Sequence, residues 1–177
     1  MTRGNARELA VHLIYGRIFT GEEPEQVVST RLDKEYYGQL SAENDIYAER
    51  PSRAQLRYID TVVSGVANRE EELNGIIQKF SIGWDVSRIS KLTRCVMQLA
   101  IYEILYAEDV PTGVAISEAV RLAKKYDSGE TGSFVNGILG SFARSLTAPA
   151  AEDTAPIEEE VSVEEAVAAG EIPAEEL

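Results

Sequence analysis

The sequence predicts an all-α fold, a compact bundle of about six to seven helices, and three observations support this class. Apolar residues recur at intervals of three and four along most of the first 146 residues. No region shows several alternating β-branched strands, and no internal repeat is visible. Glycine or proline separates the periodic segments, as turns between helices require.

The first two helices precede residue 40. Leu9 and Leu13 share one face of the first helix, which runs to a turn at Gly21. Pro24 suits the first turn of the second helix, because its missing N–H has no partner at that position. We expect this second helix to extend to about Tyr37.

A polar loop at Gly38–Pro51 precedes a long helix that runs from Ser52 to Phe80. Ser52 and Gln55 match a capping box, in which each side chain bonds the backbone N–H of the other residue. The apolar stripe of this helix consists of Leu56, Ile59, Val63, Val66, Leu73, Ile76, Ile77 and Phe80.

Three further helices complete the first 146 residues. The segment from about Ser90 to Tyr106 is apolar nearly all round, which predicts the central helix of the bundle. The next helix spans Gly113–Tyr126. The last begins near Ser133, after the loop Ser128–Gly132.

The formal net charge of −13 is concentrated at the C-terminal end. Residues 147–177 hold ten acids and no Lys or Arg, so the first 146 residues carry 17 basic and 20 acidic residues. We expect a helical domain at 1–146 and an acidic, disordered tail at 147–177. The tail is interpreted as a solubilising appendage or as an electrostatic competitor for a cationic surface.

Several classes of protein do not fit this composition. The single cysteine, Cys95, lies in the most apolar helix and predicts packing, and the single histidine, His12, allows no His-rich metal site. No Gly-rich phosphate loop occurs, and no apolar run is long enough to span a membrane. We expect a soluble cytoplasmic protein without catalytic activity, metal or cofactor.

Glu103 falls in the middle of the apolar face of the predicted central helix. An unpaired carboxylate would be costly there. We expect a buried carboxylate that ties two helices together, with Arg side chains or helix N-terminal amides as its partners.

A binding signature lies around the start of the last helix. Arg121 and Lys125 are four residues apart on an outward face, with Lys124 beside them. Backbone N–H groups near Ser133 could receive an anion, and Phe134 is expected to be partly exposed. These features fit a platform for single-stranded nucleic acid. On spacing alone, a solvated helix face with a core phenylalanine is the alternative.

Three residues of the first helix add to this signature. Arg3 and Arg7 lie four residues apart and off the apolar stripe, and Tyr15 also faces away from that stripe. Two arginines make a small basic arm, and capping or surface solvation is the alternative interpretation.

Four blocks of the sequence resemble the NusB family of transcription antitermination factors. They are Arg7–Tyr15 (RELAVHLIY), Leu99–Ile104 (LAIYEI), Val110–Tyr126 (with VAISEAVRLAKKY) and Ser133–Leu139 (SFVNGIL). The resemblance covers about residues 2–143 in the family's order and implies two packed helical subdomains.

The resemblance also implies a function. NusB-like proteins bind the boxA element of ribosomal RNA transcripts as a heterodimer with NusE, a small-subunit ribosomal protein, and the pair joins other Nus factors on RNA polymerase. By position, Arg3 and Arg7 represent the basic arm, Tyr15 an RNA-facing aromatic, and Phe134 a base-stacking residue beside Glu130 and Ser133. The NusE surface is implied at Ser87–Tyr106.

Two other functions remain open. A protein-binding helical module, or a homodimer that hides its RNA face, would show little RNA affinity. A ribosomal RNA cytosine methyltransferase with a NusB-like N-terminal domain would need an α/β domain after Leu146, where the sequence has only the acidic segment.

Overall fold

The computed structural model describes residues 1–41, 44–83 and 89–147. In these ranges the regular structure is entirely helical, which confirms the predicted fold class. The elements are α1 (Arg3–Thr20), α2 (Pro24–Arg31), α3 (Lys34–Leu40), the short 3-10 helix η1 (Asp45–Tyr47), α4 (Arg53–Asn68), α5 (Glu70–Phe80), α6 (Lys91–Tyr106), α7 (Thr112–Tyr126) and α8 (Gly129–Thr147). Met1–Thr147 is one compact unit. The segment expected to be a disordered tail, 147–177, lies outside the described residues except for Thr147, which ends α8.

The helices pack as two groups. Helices α1 to α4 and η1 form the N-terminal group, and α5 to α8 form the C-terminal group. Helix α6 joins the groups because it packs against α1 and α4 as well as against α5, α7 and α8. The arrangement agrees with two packed helical subdomains, and α6 is the central helix that its apolar sequence predicts.

The burial of α6 is nearly continuous through its middle. Cys95 is fully buried there, and this burial raises the pKa of its thiol to about 12, which confirms its packing role. Tyr102 lies against α4 at a position where only glycine fits, since a Cβ on Gly65 would lie 2.2 Å from the Tyr102 ring. Gly65 therefore sets the close approach of α4 to α6.

Local signals define the ends of α1 and the start of α4. Thr2 caps α1 by accepting a hydrogen bond from the Asn5 N–H, and Gly21 ends the helix with φ 66°, in the left-handed region. The predicted capping box is confirmed at α4. Ser52 Oγ accepts from the Gln55 N–H at 3.3 Å, and Gln55 Oε1 accepts from the Ser52 N–H at 2.9 Å.

The predicted helix Pro24–Tyr37 is wrong as one element, although it begins at Pro24 as expected. It ends at Arg31 because the Asp33 carboxylate accepts hydrogen bonds from the N–H groups of Glu35 and Tyr36 and thereby starts α3. Helix α3 continues to Leu40, and η1 lies within the segment predicted to be a loop.

The predicted helix Ser52–Phe80 is likewise two helices. Arg69, with φ −123° and ψ 22°, leaves the helical conformation and separates α4 from α5. The acidic run Glu70–Glu72 occupies the first turn of α5, where negative charge favours a helix N-terminus. This acidic run therefore supports the start of a new helix.

Among the described residues, none of the helices combines the length and the apolar character that crossing a lipid bilayer requires.

Candidate nucleic-acid interface

Helices α1 and α7 meet at Glu8, a carboxylate that is only 3% exposed. Arg121 and Lys125 lie on one face of α7, and both point to Glu8. Arg121 Nη1 lies 3.3 Å from Glu8 Oε2, while Lys125 Nζ and the Tyr126 hydroxyl donate to Oε1. The side chains of Arg121 and Lys125 are 41% and 51% exposed, so they link the buried acid to solvent.

A second ion pair lies deeper in the bundle. Glu103 is fully buried and accepts hydrogen bonds from Arg7, with Nε 2.9 Å from Oε2 and Nη2 2.9 Å from Oε1. The Tyr58 hydroxyl donates to Oε1 at 2.8 Å, and burial, then the charge of Glu103, raises the pKa of Tyr58. The prediction that Glu103 ties helices together is confirmed, and it joins α1, α4 and α6.

The expectation that Arg7 points outward beside Arg3 is wrong. The Arg7 side chain is only 3% exposed, because the buried carboxylate of Glu103 needs a cation within hydrogen-bonding distance. The basic arm that the sequence suggests is therefore reduced to Arg3, and Arg7 has a structural position in this protein.

Glu118 of α7 connects the two ion pairs. Its Oε2 lies 3.5 Å from Arg7 Nη1 and 3.1 Å from Arg121 Nη2. We call the joined set the α1–α7 charge network, and it contains three acids and three cations: Glu8, Glu103, Glu118, Arg7, Arg121 and Lys125. Their formal charges cancel, so the exposed cations Arg121 and Lys125 are balanced by acids of the same network.

His12 extends this network by one hydrogen bond. Its Nε2 lies 2.7 Å from the Tyr126 hydroxyl oxygen, which uses its single hydrogen to donate to Glu8. His12 must therefore donate through Nε2–H. Burial lowers the pKa of His12, so the ring is neutral at pH 7.

Burial by itself would raise the pKa of Glu8. Hydrogen bonds from Lys125 and Tyr126, together with the charge of Lys125, outweigh that effect and hold the pKa below its ordinary value. Glu8 is therefore ionised at neutral pH and keeps its two cations in place.

The two remaining candidates on α1 lie at different points along the helix. Arg3 is half-exposed at the N-terminus, with Nη2 2.7 Å from Asp109 Oδ2. Tyr15 follows Glu8 by seven residues, which places it on the same face about 10 Å further along. Tyr15 is half-buried and stacks edge-to-face on Phe19 at 5.1 Å between ring centroids.

The expected helix start near Ser133 is wrong. Helix α8 begins at Gly129, because Ser128 Oγ accepts a hydrogen bond from the Thr131 N–H at 3.1 Å and caps the helix there. Ser133 is inside the helix, and its hydroxyl donates to the Gly129 carbonyl at 3.4 Å. The first turn carries the acid Glu130, so the anion-binding N–H groups expected near Ser133 are not at that position.

Lys124 and Phe134 lie at the junction of α7 and α8. A Cβ on Gly132 would lie 2.5 Å from Lys124 Cγ, so the aliphatic part of Lys124 packs directly on the α8 backbone. Phe134 packs at the edge of the core and is half-buried, as its position off the apolar stripe predicts.

These residues form what we call the α1–α7–α8 face. The N-terminus of α1 adjoins α7, since a Cβ on Gly4 would lie 3.6 Å from Arg121 Nη2. At this face Glu8 of α1 contacts Arg121 and Lys125, and Lys124 packs on α8. Of the other candidates, Arg3 lies at the start of α1, Tyr15 lies further along α1 against Phe19, and Glu130, Ser133 and Phe134 lie in the first two turns of α8.

The sequence reasoning missed Glu8, Glu118 and Tyr126, which position the cations of this face. A signal existed: Glu118 precedes Arg121 by three residues on a helix, the spacing of a local ion pair. Glu8 had no comparable signal, because its partners follow it by more than 110 residues. In the part of the chain that the structure describes, no three His, Cys, Asp or Glu side chains are grouped to hold a metal ion.

The sequence profile of the NusB family matches residues 4–144. The chain belongs to the NusB family. The resemblance read from four sequence blocks is thereby confirmed, and the NusB match spans α1 through most of α8.

Relatives of this chain are transcription antitermination proteins NusB. The protein of Acetivibrio thermocellus is 41% identical over 81% of this chain and 90% of its own length. The protein of Symbiobacterium thermophilum is 34% identical over 88% of this chain and 97% of its own length.

Solved NusB structures share the fold. NusB of T. maritima has a TM-score of 0.66 at 26% identity, with 81% of this chain and 92% of that one covered. A structure of the antitermination factors NusB and NusE in complex with dsRNA has a TM-score of 0.63 at 22% identity, with 81% and 96% covered.

Proposed function

We propose that this NusB-family chain binds the boxA element of ribosomal RNA transcripts through its α1–α7–α8 face, as a heterodimer with NusE. Its relatives are antitermination proteins, and a solved complex with the same fold contains NusE and double-stranded RNA. The observation that carries the proposal is the α7–α8 junction, where Lys124 packs on the α8 backbone at Gly132, two residues before the half-buried Phe134. Arg121 and Lys125 lie on the same helix α7.

The residues of this face suit different parts of an RNA strand. Arg121, Lys124 and Lys125 supply salt-dependent contacts to phosphates, which fix register without reading sequence. The half-buried ring of Phe134 is proposed to stack on an unpaired base. Ser133 and Glu130 present a hydroxyl and a carboxylate that can hydrogen-bond base edges.

NusE docking is proposed at the N-terminal end of α6. The implied surface Ser87–Tyr106 begins outside the described residues, and its middle is buried, which leaves Lys91 and Tyr106 as accessible ends. Lys91 Nζ lies 4.8 Å from the ring centroid of Phe19, which is 62% exposed. An exposed aromatic beside a cation suits a protein partner better than solvent.

The chain acts in this proposal as an adaptor without catalysis. With NusE and boxA RNA bound, the assembly joins other Nus factors on RNA polymerase and suppresses termination. The cations of the α1–α7–α8 face adjoin Glu8 near the start of α1, whereas Phe19 lies near its end, and Tyr15 stacks on Phe19 between the two surfaces. One chain can therefore hold RNA and protein side by side.

The test is filter binding of a boxA RNA and a scrambled RNA of equal length, with and without NusE, at two salt concentrations. We expect a preference for boxA that grows when NusE is present, and an affinity that falls as salt rises. Equal binding of the two RNAs in the presence of NusE would refute the proposal.

A second candidate is a protein-binding module or homodimer, favoured by the exposed side chains of Ile18 and Phe19. Light scattering of the chain alone and with NusE separates the two functions. A stable homodimer that fails to bind RNA after NusE is added would favour the second candidate.

A further inference from the structure

We propose that Glu8 is a specificity-determining residue of the α1–α7–α8 face, which holds Arg121 and Lys125 in place and limits their attraction for RNA of any sequence. The inference rests on the proposed RNA-binding function. It assigns to a buried acid a role in recognition that neither its sequence position nor its burial suggests.

The geometry gives Glu8 a position that no other described acid shares. Its two oxygens contact two of the α7 cations, with Oε2 3.3 Å from Arg121 Nη1 and Oε1 accepting a hydrogen bond from Lys125. Glu118 contacts Arg121 at 3.1 Å but has no contact with Lys125 among the described residues. Glu8 also comes from α1, so it fixes these cations to a second helix.

The contacts with Glu8 restrict the rotamers of Arg121 and Lys125 before RNA binds, so less side-chain entropy is lost on binding. Long cationic side chains lose rotamer entropy when they dock on phosphates. Arg121 has its guanidinium held by Glu8 and Glu118, and Lys125 has its ammonium held by Glu8. Only phosphates that lie at the positions set by this anchoring gain the full contact, which favours one RNA geometry over others.

The negative charge of Glu8 weakens the attraction of Arg121 and Lys125 for phosphates, which does not depend on the RNA sequence. Phosphate contacts dominate non-specific RNA binding, and they depend on local positive charge. Glu8 places one negative charge against the two positive charges of Arg121 and Lys125. The face therefore gains less from a random phosphate chain than two unpaired cations would, and the fraction of affinity that depends on the base sequence rises.

Two variants separate positioning from charge. Glu8→Asp keeps the charge and shortens the side chain by one methylene, whereas Glu8→Gln keeps the length and removes the charge. Glu25→Gln is the matched control, since Glu25 is exposed on α2 and this substitution changes the net charge by the same amount as Glu8→Gln. Circular dichroism checks that each variant is folded.

The experiment measures the affinity of each variant with NusE for boxA RNA and for scrambled RNA at low salt. For Glu8→Gln we expect scrambled RNA to bind about threefold more tightly and the boxA preference to fall by about threefold or more. For Glu8→Asp we expect weaker boxA binding and unchanged scrambled RNA binding. Glu25→Gln should behave like wild type.

A measurement without RNA tests the anchoring itself. Acylation rates of lysines, followed by mass spectrometry, should rise at Lys125 relative to its neighbour Lys124 in both Glu8 variants. This readout, with Glu8→Asp, keeps the inference testable if Glu8→Gln is too unstable to purify.

The outcomes distinguish this inference from the proposed function. If wild type prefers boxA and both Glu8 variants keep that preference at the level of Glu25→Gln, the inference is overturned and the RNA-binding function stands. An unchanged Lys125 rate would also overturn it. If wild type shows no boxA preference with NusE, the proposed function fails and the inference fails with it.

Discussion

Replacing Glu103 by Ala removes the centre of the ion pair that joins α1, α4 and α6. The variant leaves the Arg7 guanidinium in place, 3% exposed, with only Glu118 at 3.5 Å as an acidic partner. It also removes the acceptor of the Tyr58 hydroxyl. We therefore expect a large loss of folding stability, because a buried cation keeps its desolvation cost while its main partner is gone.

The expected loss of unfolding free energy is large for a single substitution, because Glu103 is fully buried and bonded to Arg7. Removing one member of a buried, hydrogen-bonded ion pair costs about 3–5 kcal/mol. For a domain near 150 residues, each kcal/mol lowers Tm by roughly 2–4 °C, so Tm should fall by about 10 °C. Thermal and urea unfolding, followed by circular dichroism, measure both quantities.

A double variant gives the matched control for this prediction. Arg7→Leu combined with Glu103→Leu removes both charges and fills the space with apolar atoms, so its loss should be clearly smaller than that of Glu103→Ala. A Tm of Glu103→Ala within about 2 °C of wild type would contradict the reasoning. So would a double variant whose loss equals the sum of the two single losses.

Three further predictions concern the RNA face, the response to acid and the packing of α4. Phe134→Ala should weaken boxA binding by roughly 1–3 kcal/mol, the cost of losing one stacked base. The control Ile76→Ala truncates a half-buried side chain on α5 and should leave boxA binding in the filter assay unchanged. Equal losses of binding in both variants would contradict a stacking role for Phe134. The pKa of Glu8 lies below its ordinary value of 4.5, so its contribution to stability is complete at neutral pH and is lost as pH falls through the lower, folded value. Urea unfolding between about pH 6 and about pH 3 should therefore show a steeper loss for wild type than for Glu8→Gln, and parallel curves would refute this. Gly65→Ala should lower the free energy of unfolding by about 1–3 kcal/mol because its Cβ meets the buried Tyr102 ring, and a neutral effect in urea would contradict that packing.

The sequence predicted the features that depend on neighbouring residues. The capping box at Ser52 and the central position of α6 both follow from local pattern, and the structure confirms them. The need of Glu103 for a buried partner also follows from its place in an apolar face. The identity of that partner, Arg7, could not be predicted, because it lies 96 residues away along the chain.

Helix boundaries and the cation site show where local pattern is insufficient. The apolar stripe resumes at Leu73, seven residues after Val66 and in the same helical phase, so no phase shift marks the break between α4 and α5. The position of Arg7 off the apolar stripe of α1 predicts an exposed side chain. A charged side chain can nevertheless be buried when an opposite charge on another helix pairs with it, as Glu103 does with Arg7. The role of Glu8 depends on the docking of α1 on α7 and is visible only in three dimensions.

The α1–α7–α8 face is the proposed binding site for RNA. A boxA RNA with photoreactive uridines, irradiated in complex with the chain and NusE, tests it by identifying the crosslinked peptides. We expect crosslinks in α7 and the start of α8, around Lys124 and Phe134, which scrambled RNA does not give. Crosslinks confined to α2–α5, with boxA still bound, would contradict it.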